Sequence, residues 1–200
     1  MSKTEIRNDM KQRLAQIEHD EYIRLSSHIK EIFLKEVKDK KVDLVGLTIS
    51  NFPEVDTKEI ISALWTLGKR VAIPRCSPKE RTMTYYVFQD FNELEQVYMN
   101  LWEPIPTVTT KVSKDEIDLL VVPGIVYSKS GYRIGYGGGY FDRFLVNYKG
   151  ETVSLAFDRQ LTNAVPIENY DLPVSKIITE TKIINCEKYR KAGAYNEDSI

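Results

Sequence analysis

Residues 117–157 read Ile117-Asp-Leu-Leu-Val-Val122, then Gly131-Tyr-Arg-Ile-Gly-Tyr-Gly-Gly-Gly-Tyr-Phe-Asp-Arg143, then Thr152-Val-Ser-Leu-Ala-Phe157. The first and last runs are short, rich in β-branched residues and almost continuously apolar, which is typical of buried strands in a parallel sheet. Four apolar residues after the glycines predict a helix: Phe141, Phe144, Leu145 and Tyr148. The stretch therefore predicts a strand, a glycine-rich loop, a helix and a second strand.

An earlier segment repeats this order of elements. Val42–Ile49 predicts a buried strand, Asp56 and Glu59 predict the start of a helix that stops at Gly68, and Val71–Ile73 predicts a strand ended by Pro74. Strand, helix and strand in this order form a βαβ unit, and such units close right-handed in parallel sheets. Two units predict an open, mainly parallel sheet.

The remaining segments complete the predicted organisation. Ser2 and Glu5 form a possible capping box for a first helix through His19, and a second helix is expected to end in the charged run 38–41. Further predictions cover the later chain: a strand over Met83–Phe88, loop-rich sequence over Gln89–Lys114 with Trp102–Pro106 too broken by proline for a regular element, a last strand over Lys176–Glu180, and a frayed tail over 188–200. The expected fold is one α/β domain over 1–200, a three-layer open sheet flanked by helices (Rossmann-like), with an N-terminal helical pair over 1–40 packed on it.

The amino-acid composition excludes several classes of function. Twenty-eight basic and twenty-nine acidic side chains give a net charge of −1, so the chain lacks the overall basic excess of a nucleic-acid binder. Two cysteines and two histidines, His19 and His28 in predicted helices, provide neither zinc-site spacing nor a Ser-His-Asp arrangement. Because no apolar run is long enough to span a bilayer, a reduced cytoplasmic protein is the expectation.

The glycine-rich loop has the composition of an anion site. Glycines let backbone amides approach an anion closely, and the predicted helix start after them favours negative charge. Arg133 and Arg143 add groups suited to phosphate, and Tyr136 and Tyr140 add rings that can stack on a heterocycle. The alternative is a tight turn before a helix with no ligand.

The loop differs from two familiar phosphate-binding motifs, the P-loop and the dinucleotide-binding fingerprint. The lysine and hydroxyl residue of a P-loop do not follow the glycines, which removes that motif. A dinucleotide fingerprint is closer, since Gly135-x-Gly137 precedes a helix and Asp158 follows near a strand end. Tyr140 stands at the third glycine position, however, and a long loop separates Val126 from Gly135, which disfavours NAD.

The loop and several shorter motifs together resemble the 5-formyltetrahydrofolate cyclo-ligase (5,10-methenyltetrahydrofolate synthetase) family. The likeness extends over nearly the whole chain. The matching segments are Lys3–Arg7, Ser50–Thr57, Ile73–Cys76, Leu101–Pro104, Val122–Tyr127 and Gly131–Arg143. The chain departs from the family pattern at Phe52-Pro53, which makes the alignment of Ile49 less secure, and at Phe141, where tyrosine is usual.

The resemblance implies an ATP-dependent enzyme that cyclises 5-formyltetrahydrofolate to 5,10-methenyltetrahydrofolate, with Mg²⁺ accompanying ATP. The formyl oxygen would be phosphorylated, and N10 would attack the resulting iminium phosphate. The implied ATP-binding residues are Lys3, Arg7, Arg133, Ile134, Gly135, Tyr136, Gly137, Gly138, Gly139, Tyr140 and Phe141. The implied folate-binding residues are Ile49, Glu54, Trp102, Tyr136, Gly137, Gly138, Gly139 and Tyr140, and the implied metal ligand is Asp142.

Taken one at a time, several of these residues also have an ordinary structural explanation. Lys3 and Arg7 could be a solvated basic pair, Glu54 an exposed loop acid, and Asp142 a carboxylate favoured by the first turn of its helix. Ile49 could belong to the core and Trp102 could cover its edge. At the level of the whole chain, a non-catalytic folate or nucleotide carrier and an NAD-dependent oxidoreductase stay open. Small-molecule substrates are the expected partners, with no nucleic acid or membrane, and a monomer or weak dimer is expected.

Overall fold

A twisted sheet of eight strands organises the computed structural model, which describes residues 1–38 and 40–197. The helices are α1 (Lys3–Leu14), α2 (His19–Lys38), α3 (Lys58–Thr66), α4 (Tyr140–Leu145) and α5 (Cys186–Glu197). The strands are β1 (Leu44–Gly46), β2 (Arg70–Ser77), β3 (Thr82–Phe88), β4 (Leu94–Gln96), β5 (Trp102–Pro104), β6 (Thr110–Val112), β7 (Leu119–Val121), β8 (Val126–Ser128), β9 (Arg133–Ile134), β10 (Glu151–Leu155), β11 (Leu161–Thr162), β12 (Lys176–Ile178) and β13 (Ile183–Asn185).

The strand order of the large sheet is β13-β12-β10-β7-β1-β2-β3-β6. The five strands from β12 to β2 pair in parallel, whereas β13, β3 and β6 pair antiparallel at the two edges. Alternate residues of one strand point to opposite faces, so Leu119 and Val121 join a core cluster with α1, α2 and α3, while Leu120 joins a second cluster with α4 and α5. Helices therefore cover both faces, and the predicted mainly parallel, three-layer α/β fold is confirmed.

The N-terminal helices follow the predicted order with one shifted boundary. Ser2 and Glu5 form the predicted capping box. The first helix ends at Leu14 and not at His19, because the chain turns after Ala15 and buries Ile17 in the core before α2 begins. This turn lets α1 leave the direction of α2 and lie near the loops at one end of the sheet.

Several other predicted boundaries are wrong. Strand β2 continues through Pro74, because β1 pairs with it only as far as Ala72 and the remaining edge tolerates a proline. Trp102–Pro104 does form a strand, paired with β4 in a separate ribbon. Strand β13 follows the one predicted as last and pairs antiparallel with it.

The predicted frayed tail is helical over most of its length. Helix α5 runs over Cys186–Glu197, and residues 198–200 lie outside the described part of the chain. Arg190 Nη1 donates to the carbonyl oxygens of Ser130 at 2.6 Å and Val174 at 3.2 Å. These bonds attach the helix to the body of the protein, which a pattern of local composition does not reveal.

The segment expected to be a long loop before the glycines contains a hairpin. Strands β8 and β9 pair antiparallel, and β11 adds to β8 to complete a small three-stranded sheet. Ile125 N and Ser128 N donate to the carbonyl oxygens of Ile134 and Tyr132 across the hairpin. The glycine-rich loop therefore starts from a strand end and not from an unsupported loop.

Candidate functional site

The glycine-rich loop runs from the end of β9 to Gly139, the residue that caps α4. Gly137 and Gly139 have φ angles of +102° and +64°, which side chains rarely adopt. A β-carbon on Gly138 would lie 2.7 Å from Cδ2 of Tyr140, so this position has no room for one without a shift of that ring. Arg143 Nη1 donates to Gly138 O at 2.9 Å and holds the loop from below. The helix that follows ends at Leu145, short of the predicted Tyr148.

Helix α1 lies against this loop. Arg7 Nε donates to the carbonyl oxygen of Gly135 at 2.7 Å, and the ammonium group of Lys11 stands 5.1 Å above the ring centroid of Tyr136. Lys3, Arg7 and Lys11 are spaced four residues apart, so they lie on one side of the helix. The structure therefore brings Arg7 to the loop, as the sequence predicts, and adds Lys11.

Glu54 joins the loop from the first strand-to-helix connection of the sheet. Tyr136 Oη donates to Glu54 Oε1 at 2.5 Å, and Asn51 N donates to Oε2 at 3.0 Å. Burial raises the pKa of Glu54, while the Tyr136 hydroxyl, the Asn51 amide and the charge of Lys11 oppose that rise. Burial and the neighbouring carboxylate raise the pKa of Tyr136, which keeps its hydroxyl a donor. Glu54 is thus held in place by two donors, not a freely solvated loop acid.

The Glu54 loop is rigidly tied at its two ends. Ser50 Oγ accepts from Thr57 N at 2.9 Å, and Thr57 Oγ1 accepts from Ser50 N at 2.8 Å and donates to Thr48 O at 2.7 Å. The peptide bond between Phe52 and Pro53 is cis. Because the ends are bonded to each other, the acidic side chain has a defined direction relative to the sheet.

Arg133 is buried, with only 4% of its side chain exposed. Its Nη1 donates to Leu172 O at 2.6 Å, and its Nη2 pairs with Asp142 Oδ1 at 3.0 Å. The same carboxylate oxygen accepts from Leu172 N at 3.3 Å. The structure therefore joins two predicted site residues directly and ties both to residue 172.

Lys3 reaches the same segment from the start of α1. Its Nζ pairs with Asp171 Oδ2 at 2.5 Å and Glu168 Oε2 at 2.8 Å, and lies 5.7 Å from the ring centroid of Tyr170. Burial lowers the pKa of Lys3, but the two carboxylates more than compensate and leave that pKa raised. Lys3 is therefore not a freely solvated cation. It pairs with Asp171, the residue next to Leu172, whose carbonyl oxygen binds Arg133.

Asp142 and Asp171 are the candidate magnesium ligands in this region. Asp142 accepts a hydrogen bond from the backbone of Leu172, the residue that follows Asp171. Mg²⁺ is commonly held by one or two carboxylates, with phosphate and water oxygens completing its shell. Within the described ranges, no group of three or more His, Cys, Asp or Glu side chains could hold a metal ion. The donor set therefore suits a magnesium ion that arrives with phosphates and does not suit a metal held by protein ligands alone.

The other predicted residues lie around this centre. Ile49 is 4% exposed and belongs to the core cluster, three residues beyond the end of β1 and not within the strand predicted over Val42–Ile49. Trp102 packs partly buried in β5 with Lys58 Nζ at 5.7 Å from its ring centroid, and Asn51 Nδ2 donates to Asn100 O at 3.2 Å nearby. Ribbon β4–β5 is therefore linked to the Glu54 loop.

Two parts of this region are not predicted by the sequence. Lys11 could have been found, because it continues the spacing of Lys3 and Arg7 by one more turn. The acidic pair Glu168 and Asp171 had no local signal, since it lies far along the chain from the residues it contacts.

Comparison with known proteins identifies the family. Residues 1–180 match the 5-formyltetrahydrofolate cyclo-ligase family. The chain belongs to this family. The 5-formyltetrahydrofolate cyclo-ligase of Escherichia coli K12 is 32% identical over 143 residues, covering 70% of this chain and 79% of the relative. The cyclo-ligase of Mus musculus is 26% identical over 190 residues, covering 90% of this chain and 94% of the relative.

Solved structures agree with this cyclo-ligase family assignment. The Aquifex aeolicus 5,10-methenyltetrahydrofolate synthetase superposes with a TM-score of 0.82 at 25% identity, covering 93% of each chain. The Mycoplasma pneumoniae synthetase superposes with a TM-score of 0.74 at 18% identity, covering 90% of this chain and 99% of that chain, and supports the fold alone. In the described part of this chain, none of the helices combines the length and apolar character needed to cross a membrane.

Proposed function

We propose that this protein is an ATP-dependent 5-formyltetrahydrofolate cyclo-ligase that forms 5,10-methenyltetrahydrofolate, ADP and phosphate. The observation that carries the proposal is the meeting of α1, the glycine-rich loop and Glu54 at one place. Arg7 bonds the loop at Gly135, and Glu54 bonds it at Tyr136. A basic helix face and an acidic anchor that meet at one glycine-rich loop suit two reactants, an anionic nucleotide and a ring with N–H donors.

ATP is assigned to the α1 side of the loop. Loop 133–141 would surround the phosphates with backbone amides, and Lys3 and Arg7 would neutralise their charge. Lys3 would exchange part of its pairing with Glu168 and Asp171 for phosphate oxygens. Arg133 already donates to Leu172 O and Asp142, so it shapes this side of the site, and its remaining N–H groups would reach the phosphates. Asp142 and Asp171 would hold Mg²⁺, which supplies charge neutralisation on the phosphates.

Folate is assigned to the Glu54 side. A carboxylate can accept together from the ring N–H and the amino group of the pterin. Tyr136 and Tyr140 offer rings for stacking, and Trp102 is connected to this side through the Asn51–Asn100 bond. Ile49 is buried in the core that follows β1. Its direct contact with the substrate stays a prediction.

The proposed reaction needs positioning more than it needs a protein nucleophile. The formyl oxygen attacks the γ-phosphorus as the bond to ADP breaks. N10 then attacks the formyl carbon and loses its proton to the phosphate group, which leaves with the former formyl oxygen. Phosphoryl transfer of this kind depends on alignment and charge neutralisation. The cations on α1 and the amides of the loop provide both, and Glu54 fixes the ring that carries the reacting groups.

The decisive experiment mixes the purified protein with MgATP and 5-formyltetrahydrofolate and follows the near-ultraviolet absorbance of the methenyl product together with phosphate release. We expect both signals to rise in equal amounts. Tight folate binding without either signal would support a non-catalytic carrier. No binding and no turnover, under conditions where a known cyclo-ligase is active, would refute the proposal.

An NAD-dependent oxidoreductase is the weaker alternative. Asp158, the residue that would hold a ribose, bonds Thr181 Oγ1 and lies 3.2 Å from Lys182 Nζ. A thermal shift with NAD(H), abolished in Asp158→Ala, would favour that alternative. The cytoplasmic location and the oligomeric state stay predictions.

A further inference from the structure

A small cavity lies at the carboxyl ends of three adjacent parallel strands, β1, β7 and β10. Its volume is about 30 Å³, and its lining includes Glu54, Tyr127, Gln160 and the Pro123-Gly124 turn. Ligands of open α/β sheets bind outside these strand ends. A space of this size holds one water molecule or one exocyclic atom of a ring and does not hold a ring itself.

Tyr127 has an unusual position in this cavity. The residue is fully buried, and its hydroxyl makes no hydrogen bond of ordinary geometry to a described residue. The nearby Ser154 hydroxyl lowers the pKa of Tyr127, but it donates its own proton to Val122 O at 2.7 Å. A β-carbon on Gly124 would lie 3.0 Å from that hydroxyl, so the ring is confined by the turn above it. A buried hydroxyl without a partner is costly, and sites of this kind call for a bound water or ligand.

Most other polar side chains of the lining are already hydrogen-bonded. Gln160 Oε1 accepts from Phe157 N at 2.8 Å, and its Nε2 donates to Ile125 O at 3.0 Å. Ser50 and Thr57 bond each other, and Glu54 has its two donors. Burial raises the pKa of Tyr127, which keeps the phenol protonated and able to donate. The hydroxyl of Tyr127 is therefore a fully buried hydrogen-bond donor that is available beside the Glu54 carboxylate.

Building on the proposed function, we infer that Tyr127 is a further substrate-binding residue whose hydroxyl donates to the ring carbonyl oxygen of the pterin. The pterin edge presents an amino group, an N–H and a carbonyl in sequence. A carboxylate that accepts from the first two leaves the carbonyl next to it, where a donor is needed. The size of the cavity suits that single oxygen, and Tyr127 supplies the donor.

The test uses Tyr127→Phe with Tyr85→Phe as the matched control. Tyr85 is also a buried tyrosine whose hydroxyl lacks a partner among the described residues, and it does not line this cavity. We expect Tyr127→Phe to weaken 5-formyltetrahydrofolate about fivefold, both in Kd by calorimetry without ATP and in KM. The KM for ATP and the melting temperature should not fall, and Tyr85→Phe should leave folate affinity unchanged.

The outcomes separate this inference from the proposed function. Unchanged folate affinity in Tyr127→Phe would overturn it and assign the cavity to a water. An equal loss in Tyr85→Phe would also overturn it, because the effect would then be general to the core. If the wild type binds folate but does not turn over, the proposed function fails and the Kd comparison still decides the role of Tyr127. If the wild type does not bind folate, both are refuted.

Discussion

Replacing Asp142 with alanine tests whether its carboxylate stabilises the folded protein by pairing with the buried guanidinium of Arg133. Arg133 has 4% of its side chain exposed and Asp142 has 24%, and they pair at 3.0 Å. Breaking a buried ion pair by removing one partner typically costs 3–5 kcal/mol, because the other charge stays buried. Leu172 O still accepts from Arg133 in the variant, so the lower part of that range applies.

We therefore expect Asp142→Ala to lower the free energy of unfolding by about 3 kcal/mol. For a chain of this length, 1 kcal/mol corresponds to roughly 2–4 °C in melting temperature, so the shift should be about 6–12 °C. The assay is thermal unfolding without nucleotide, folate or magnesium, which keeps ligand effects out of the measurement. A second melt with MgATP then reports any loss of nucleotide stabilisation in the same variant.

The control is Asp9→Ala. Asp9 pairs with Arg13 at 2.8 Å on an exposed face of α1, with 46% and 64% of their side chains exposed. Pairs of this kind contribute about 0–1 kcal/mol, so the melting temperature should hardly change. Asp142→Ala melting together with Asp9→Ala and the wild type would refute the assignment of Asp142 as the counter-charge of a buried arginine.

Three further predictions concern the two ligand sides of the loop. Gly138→Val should abolish ATP binding measured by calorimetry, because the new side chain meets the Tyr140 ring and fills the approach to the backbone amides. The far-ultraviolet circular dichroism spectrum should stay native, and wild-type ATP affinity would contradict this prediction. Burial raises the pKa of Glu54, so the folate KM should rise on acidification at a higher pH than for an exposed glutamate; a flat profile down to the ordinary glutamate range would argue against Glu54 as the anchor. Lys11→Met removes a positive charge that lowers this pKa, so the inflection in the same KM profile should move to higher pH; an unmoved inflection would show that Lys11 does not act on Glu54.

The sequence was sufficient for the framework of the fold and for the family, while the roles of the site residues stay predictions. Short continuous apolar runs such as Leu119–Val122 are typical of strands buried on both faces of a sheet. Because such runs alternate with segments of helical periodicity, they predict a parallel strand order. Glycines at 137–139 and the Ser2 capping box are local features, which sequence neighbours decide. The predicted end of a strand at Pro74 and the predicted loop at Trp102–Pro104 were wrong, because both depend on which neighbouring strand pairs with the segment.

The partners of the charged residues were decided by tertiary structure. Lys3 pairs with Asp171 and Arg133 with Leu172, contacts that join distant parts of the chain and leave no periodic trace in sequence. The buried hydroxyl of Tyr127, which has no hydrogen bond of ordinary geometry to a described residue, is a similar case, since a tyrosine in a strand is ordinary until its surroundings are known. Local sequence determines backbone conformation and which face of an element is apolar. Which polar groups are satisfied, and which are left for a ligand, depends on the packing of the whole chain, because a hydrogen bond requires two groups to meet in space.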